Sequence, residues 1–161
     1  MVGTIQHQGT WSRYGRVFAD HGGSEMSESD DRAAIADVIV RYATAIDRRD
    51  WELFRTCFTP DCGSDYGSIG GWNDIDGLTE FMTTAHAGMG HTMHRMTNNV
   101  VALDGDVASG RTYVHVILQL DRNNPGTVYE TFGFYDDSFV RSADGWRIAQ
   151  RNFTTVAERT F

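Results

Sequence analysis

The sequence contains no lysine, since all 14 of its basic residues are arginine. Without lysine the chain cannot form a Schiff base with a carbonyl substrate or with pyridoxal phosphate, and it cannot supply the lysine of a phosphate-binding P-loop. The glycine-rich segment 67–71 is therefore interpreted as a turn. These exclusions favour a protein that works without an organic cofactor.

Cysteine and long apolar runs are also scarce. Cys57 and Cys62 have neither a second cysteine pair nor suitably spaced histidines to complete a zinc site, so we interpret both as free thiols. No apolar run approaches the roughly 20 residues that cross a bilayer, and residues 1–25 lack the apolar centre of a secretory signal. We expect a cytoplasmic protein that has no membrane partner.

The chain is acidic, with a formal net charge of −8. It offers no basic stripe for a nucleic acid or an anionic membrane, so a small neutral or weakly charged ligand fits better. Its 161 residues suffice for one domain with a substantial core. Residues 1–25 show no sustained periodicity, so we expect an N-terminal extension, flexible or swapped, before a domain over 26–161.

The first half of the domain is predicted to be helical. Ser29 or Asp30 can cap a first helix, whose core-facing row comprises Ile35, Ile39, Tyr42 and Ile46. The adjacent row comprises Ala36, Val40, Ala43 and Asp47, so the Asp47 carboxylate should border the core. Asp50 is the expected N-cap of a short helix reaching Phe58, and a third helix is predicted over residues 78–87.

The second half is predicted to be sheet. Alternating residues and turn signals indicate one hairpin over 91–103 and 107–120 and another over 127–141 and 146–156. A further strand is expected around residues 65–69. Helices followed by long antiparallel strands indicate an α+β fold, in which the helices cover one face of a curved antiparallel sheet.

Asp47 and His94 are the leading candidates for a catalytic pair. A carboxylate near a helix C-terminus faces the negative end of the helix dipole, so it calls for a compensating partner or a function. His94 is the proposed partner, because a carboxylate would hold its tautomer while it acts as a general base. In the alternative interpretation, His94 is a satisfied core histidine and Asp47 only caps the following helix.

The other histidines are less distinctive. His91 and His94 are an odd number of positions apart and should point to opposite faces of a strand, so we expect no metal site. His86 is interpreted as a surface residue at the end of the third helix. His115 is a second acid–base candidate if its strand face lines the cavity, and is structural if that face is exposed or lies at a subunit contact.

Several further residues are candidates for contacting a substrate. The Tyr66 phenol could donate a hydrogen bond to a developing oxyanion, although it could equally be a core wall. The candidate binding residues are Tyr42, Met96, Asn98, His115 and Asp136. Asp136 and Asp137 lie on opposite faces of one strand, so one of them could enter the cavity, and a bulge would reverse the choice.

An adaptable apolar wall is expected from Met82, Met89, Met93 and Met96. In the final strand, Arg147 and Arg151 are expected to be exposed, or one of them to reach the cavity mouth.

From about Asp31 to Asn152 the chain resembles the SnoaL-like branch of the NTF2-like superfamily. The features that carry the resemblance are Arg32-Ala33-Ala34-Ile35, Ile46-Asp47-Arg48-Arg49-Asp50-Trp51, Phe58-Thr59-Pro60-Asp61, His94 with Thr97-Asn98, and Asp144-Gly145-Trp146-Arg147-Ile148. The resemblance implies a cone-shaped α+β barrel with a deep apolar pocket. Scytalone dehydratase, bile-acid dehydratase and hexachlorocyclohexane dehydrochlorinase belong to this branch, and they use an Asp and a His to remove a proton and expel a leaving group. That role would fall here on Asp47 and His94, with Tyr66 as a pocket tyrosine.

The leading hypothesis is therefore a cofactor-independent lyase, most simply a dehydratase, acting on a small cyclic hydrophobic molecule. A polyketide cyclase or an isomerase could use the same pocket, since these reactions also begin by removing a proton. The alternative from another class is a noncatalytic ligand-binding or accessory subunit, such as the small subunit of a ring-hydroxylating dioxygenase. A homo-oligomer, dimer or trimer, is expected because the second face of the sheet needs a partner.

Overall fold

The computed structural model describes residues 27–161, so the predicted N-terminal extension lies outside the described residues. The described part contains three α-helices, α1 Glu28–Arg48, α2 Trp51–Arg55 and α3 Ile75–His86. Six strands accompany them: β1 Phe58–Asp65, β2 Gly71–Trp72, β3 Thr92–Asp104, β4 Val107–Gln119, β5 Val128–Ser142 and β6 Gly145–Thr160. A single 3₁₀ turn, Gly67–Ile69, links β1 to β2.

Helix α1 begins slightly earlier than the predicted caps. Ser27 is the N-cap, its hydroxyl accepts a hydrogen bond from the Asp30 backbone N–H at 3.3 Å, and the Asp30 carboxylate accepts from the Ser27 N–H at 3.1 Å. Asp30 is thus the third residue of the helix and the second half of a capping box, not the cap itself. The predicted core row is correct, since Ile35, Ile39, Tyr42 and Ile46 are all buried. Val40 of the adjacent row is exposed.

The segment after α2 differs from the prediction. Phe58 begins β1 instead of ending α2, and β1 stops at Asp65, before the strand predicted around residues 65–69. The Ile148 N–H donates to the Cys57 carbonyl at 2.8 Å and holds this segment beside β6. Asp50 caps α2 as predicted, through the Leu53 N–H.

The sheet has the order β2-β1-β6-β5-β4-β3. Strands β3 to β6 form the predicted antiparallel hairpins, whereas β1 pairs with β6 in parallel, a pairing that distant parts of the chain create. The curved sheet stays open, since β2 and β3 are its two edges. The α+β class is confirmed, and the barrel is a partial one. Helix α1 packs against β3 and β6, so its C-terminal end meets the beginning of β3.

Candidate active site

Asp47 and His94 meet where the end of α1 reaches the beginning of β3. The Asp47 Oδ1 atom lies 2.7 Å from Nδ1 of His94 and accepts a hydrogen bond from the Thr92 hydroxyl at 2.9 Å. The Asp47 Oδ2 atom accepts from the His94 backbone N–H at 2.8 Å. Both carboxylate oxygens are therefore held, and the unfavourable position at a helix C-terminus is compensated from β3.

The hydrogen bonds determine the charge and tautomer of the pair. Partial burial raises the pKa of Asp47, but the bonds from the His94 ring, the His94 backbone and Thr92 outweigh it, so the net pKa is lowered. Asp47 is then an acceptor only, and His94 Nδ1 must carry the proton that lies between them. This leaves Nε2 of His94 without a hydrogen-bond partner in the described part of the chain. The His94 side chain is 5% exposed.

His94 borders a cavity of about 180 Å³ whose wall is mostly apolar and aromatic. Helices α1 and α3 and strands β4, β5 and β6 contribute to its lining. The lining residues are Tyr42, Ile46, Tyr66, Ile69, Phe81, Met82, Ala85, His86, Met89, His94, Val116, Leu118, Tyr129, Thr131, Tyr135 and Phe153. Two of the four predicted wall methionines, Met82 and Met89, are among them. A hollow of this kind is suited to a small hydrophobic ligand.

Three buried tyrosines, Tyr42, Tyr66 and Tyr135, contribute to the polar part of the wall. The Tyr42 hydroxyl lies 3.4 Å from the hydroxyl of Tyr66 and 3.4 Å from that of Tyr135. Burial raises the pKa of all three phenols, so each remains protonated at neutral pH. They can therefore donate hydrogen bonds to a ligand oxygen, which is the role predicted for the Tyr66 phenol.

Arg151 lies behind these phenols and is fully buried. Its guanidinium donates to the two Asp137 carboxylate oxygens at 2.8 and 2.7 Å, and its carbon lies 4.1 and 4.0 Å from the ring centres of Tyr42 and Tyr135. One nitrogen, Nη1, has no partner within residues 27–161. The positive charge opposes the rise that burial causes in the tyrosine pKa values.

The alternation of β6 predicts Arg151 at the surface or the cavity mouth, and this prediction is wrong. Ile148 pairs with Phe139 and Gln150 with Ser138, so Ala149 is an extra residue in β6. Such a bulge reverses the alternation of side chains, and Arg151 turns inward although it shares the parity of Arg147. A bulge leaves little trace in the sequence, so the inward position of Arg151 could not be predicted from the alternation of β6.

The structure places four other candidates away from the cavity. Asp136 points to the outer face, where both of its oxygens accept from Arg111 at 2.7 Å. His115 lies on the same outer face, 2.5 Å from Glu130, with its ring stacked on Phe132. These positions follow the regular pleat of β4 and β5, so Asp137 is the inward member of the Asp136–Asp137 pair.

The remaining two candidates lie on β3. Met96 packs against the core without lining the cavity. Asn98 is exposed and has a left-handed backbone, φ 48°, at an irregularity in the pairing between Thr97 and Val100. From His94 onward, every second side chain of β3 points inward, and this pattern ends at the irregularity.

His86 was interpreted as a surface residue, and the structure corrects this. It is 6% exposed and lines the same cavity as His94. Helix α3 begins at Ile75, three residues before its predicted start, because Asp74 caps it through the Gly77 N–H at 2.7 Å. The inward face of α3 carries Leu78, Met82 and His86 at helical spacing, which is the signal that could have located His86.

Residues 27–161 contain no cluster of three or more side chains suited to hold a metal ion. Cys57 and Cys62 are both free and buried, and burial raises the pKa of each thiol to about 11. Both are therefore protonated, poor nucleophiles. None of the helices in the described part of the chain combines the length and apolar character needed to span a membrane.

An open, curved sheet whose helix-covered face encloses an apolar cavity is the NTF2-like fold. The family model of the SnoaL-like domain matches residues 27–152, so the chain belongs to the SnoaL-like family. An uncharacterised protein of Mycobacterium tuberculosis is 34% identical over 132 residues, which cover 78% of this chain and 86% of that protein.

Solved structures show the same fold. A candidate aromatic ring hydroxylase from Novosphingobium aromaticivorans superposes with a TM-score of 0.75 at 29% identity, covering 83% of this chain and 94% of that one. A candidate scytalone dehydratase from the same organism has a TM-score of 0.76 at 19% identity, with 83% and 89% covered. Hexachlorocyclohexane dehydrochlorinase LinA-type3 from Novosphingobium barchaimii has a TM-score of 0.74 at 17% identity, with 83% and 92% covered.

Proposed function

We propose that this protein is a cofactor-independent lyase that carries out a dehydratase-like elimination on a small cyclic hydrophobic molecule. The observation that carries the proposal is the 2.7 Å contact between Asp47 and the His94 ring at the edge of an apolar cavity. Within residues 27–161, this contact leaves Nε2 of His94 without a hydrogen-bond partner beside a mostly apolar cavity. A histidine whose other ring nitrogen is held by a carboxylate can act as a general base.

The reaction follows from these groups. Nε2 of His94 takes a proton from a ligand carbon next to a carbonyl, and the electrons of the broken C–H bond form a C=C bond as the hydroxyl on the neighbouring carbon leaves. Asp47 balances the positive charge that forms on the imidazole. The imidazolium then returns its proton to the departing hydroxide, so the products are an unsaturated ketone and water, and the enzyme is restored.

The buried phenols can stabilise the carbonyl oxygen of the ligand, which takes up negative charge during this reaction. Tyr66, with its pKa raised by burial, keeps its proton and can donate a hydrogen bond to the carbonyl oxygen as negative charge develops there. Arg151 lies behind the phenols with a fixed positive charge, held by Asp137, and acts on the ligand only through them. Arg151 is therefore a positioning residue.

The fold neighbours support the reaction class. One carries the name of a scytalone dehydratase and another that of a dehydrochlorinase, and both names describe eliminations. Isomerisation and cyclisation begin with the same proton removal, so this cavity suits them too. One neighbour is named as a candidate aromatic ring hydroxylase, which is a different reaction class. The accessory-subunit alternative, in which the cavity is inert and the chain binds a larger oxygenase subunit, is the second candidate.

The test compares His94→Ala and Asp47→Asn with the wild type. The substrates are a panel of cyclic ketones that carry a hydroxyl group on the β carbon, and the readouts are the ultraviolet absorbance of the conjugated product and deuterium exchange at the α carbon. Loss of a general base lowers the rate ~10²–10⁴-fold, so we expect that loss for His94→Ala. Asp47→Asn keeps the shape but removes the charge, and we expect a smaller loss.

His91→Ala is the matched control, because His91 is exposed and its backbone N–H, not its ring, bonds Gln119. Turnover close to that of the wild type in both folded dyad variants would reject the dyad. If the wild-type chain leaves the whole panel unchanged and forms a stable complex with an oxygenase subunit, the accessory-subunit alternative is correct.

A further inference from the structure

His86 places a second imidazole in the wall of the cavity that His94 borders. It is the last residue of α3, and its ring packs edge-on against Trp51 with the ring centres 5.9 Å apart. Met82 and Met89, which are close to His86 in the sequence, also line the wall. His86 is buried, yet among the described residues no charged side chain hydrogen-bonds it, whereas Asp47 hydrogen-bonds His94.

The backbone of α3 determines the His86 tautomer. Nδ1 of His86 lies 2.8 Å from the Met82 carbonyl oxygen, one turn back in the helix. A carbonyl oxygen can only accept a hydrogen bond, so Nδ1 carries the proton. Nε2 then has a lone pair, and no residue in the range 27–161 bonds it.

The surroundings keep this ring neutral. Burial lowers the pKa of His86, the bond to the Met82 carbonyl opposes this, and the nearby His94 and Arg49 lower the pKa further while Asp47 raises it. The net pKa is below the ordinary value for histidine. At neutral pH, Nε2 of His86 is therefore a hydrogen-bond acceptor without charge.

An acceptor in a mostly apolar wall discriminates between ligands. A buried polar atom without a partner is costly, so a ligand that satisfies it is favoured over one that cannot. The hydroxyls of Tyr42, Tyr66 and Tyr135 can both donate and accept, and that of Tyr42 lies within hydrogen-bond distance of the other two. His86 differs from them because it can only accept.

We propose that His86 is a specificity-determining residue whose Nε2 accepts a hydrogen bond from a hydroxyl group of the ligand. The cavity would then select cyclic apolar molecules that carry a free hydroxyl over those in which the oxygen is methylated. The proposal rests on the proposed function for the claim that this cavity receives a small cyclic molecule. It is independent of the chemistry that follows.

The experiment measures the binding of 2-naphthol and 2-methoxynaphthalene by isothermal titration calorimetry. The two probes share their ring system and oxygen, and only 2-naphthol can donate. We expect the wild-type chain to bind 2-naphthol about 5–10-fold more tightly, as one hydrogen bond allows. The ratio of the two dissociation constants should fall to within about twofold in His86→Phe, whereas Met89→Leu, which changes the same wall without removing a polar atom, should retain it.

A second readout uses the unaltered protein. Long-range ¹H–¹⁵N spectra should show the Nε2 resonance of His86 moving when 2-naphthol is added and staying in place with 2-methoxynaphthalene. A resonance that stays in place while 2-naphthol binds overturns the proposal, as does equal binding of both probes. Failure of both probes to bind the wild type also overturns it.

The two proposals fail separately. Normal turnover in the dyad variants with a hydroxyl preference that depends on His86 would refute the lyase and leave the role of His86 standing. Loss of turnover in the dyad variants, without a hydroxyl preference that depends on His86, would support the lyase and refute the role of His86.

Discussion

Arg151 and Asp137 form an ion pair that is almost completely removed from water, with side chains 0% and 1% exposed. The bidentate geometry satisfies both carboxylate oxygens, and the guanidinium is sandwiched between the rings of Tyr42 and Tyr135. Taking two charges out of water costs several kcal/mol per ion, and only a well-formed pair offsets this. The pair therefore holds the phenols in place more than it adds net stability.

Arg151→Met should be strongly destabilising. The change leaves the Asp137 carboxylate buried without a partner, and breaking a buried pair in this way costs about 3–5 kcal/mol. Urea unfolding followed by circular dichroism measures the effect. The double variant Arg151→Met/Asp137→Leu removes both charges and should recover most of the loss; a double variant as unstable as the single one would contradict this account.

The shape of the cavity depends on irregularities in β6. Besides the extra residue at Ala149, Phe132 pairs with Ala157 and Gly133 with Thr155, so Val156 is a second extra residue. A Cβ atom at Gly133 would lie 2.2 Å from the Thr154 carbonyl oxygen and 2.7 Å from a ring carbon of Phe153. Gly133 thus permits β6 to approach β5 closely enough for Phe153 to line the cavity.

Gly133→Ala should therefore destabilise the fold by about 1–3 kcal/mol, the usual cost of forcing extra volume into a packed site. Thermal unfolding measures the loss. Gly126→Ala is the matched control, because a Cβ at Gly126 has its nearest neighbour, Asn124, at 3.7 Å. A similar unfolding temperature for the two variants would show that β6 does not depend on the missing side chain at Gly133.

Charged contacts connect the elements of the whole molecule. Asp31 of α1 accepts two hydrogen bonds from Arg141 at 2.6 Å each and one from the Trp146 ring at 3.0 Å, which joins α1 to the β5–β6 hairpin. Arg159 and His115 hold Glu130 on the outer face of the sheet. The predicted homo-oligomer, for which that face was the expected contact, stays a prediction.

These contacts predict how stability depends on pH. Bonds from Arg141 and Trp146 lower the pKa of Asp31, bonds from Arg159 lower that of Glu130, and the net pKa of Asp47 is also lowered. A carboxyl group whose pKa is lower in the folded state stabilises the fold when the pH is above its unfolded pKa of about 4. This stabilisation is lost as the pH falls through the folded pKa. Unfolding free energies measured by urea titration should therefore decline below about pH 4.

His86 should make the unfolding free energy decline at a higher pH than the carboxyl groups do. Its pKa is lowered on folding, so the unfolded chain binds more protons below the unfolded histidine value of about 6.5, and stability falls as the pH decreases from there. His86→Phe should flatten the profile between about pH 6.5 and pH 5 relative to the wild type. A profile identical to that of the wild type in this range would contradict the assignment to His86.

Much of the fold was predictable because it is local. The row Ile35, Ile39, Tyr42 and Ile46 is buried as its spacing predicts, and two hairpins follow from alternation and turn residues. The contact between Asp47 and His94 was expected from a carboxylate at a helix C-terminus together with a family resemblance. Hydrophobic periodicity reports which face of an element is apolar, and that face is buried wherever the element packs.

Other parts of the site were not predictable from pattern. The alternation of β6 predicts the wrong face for Arg151. The spacing of Leu78, Met82 and His86 indicates a shared face of α3, but spacing does not show that this face encloses a cavity. The choice between Asp136 and Asp137 depended on register. Each outcome depends on partners far away in the chain, and a single extra residue in a strand reverses the side chains that follow it.

The sequence by itself determined the core-facing row of α1, the two hairpins, the lack of lysine chemistry and the acidic residue near the end of α1 that requires a compensating partner. The tertiary structure alone decided that β1 joins β6 in parallel, that Arg151 and Asp137 are buried behind three phenols, and that His86 faces the same cavity as His94. The physical reason is that local patterns specify which faces are apolar, whereas the enclosure of a polar group depends on the packing of elements from the whole chain.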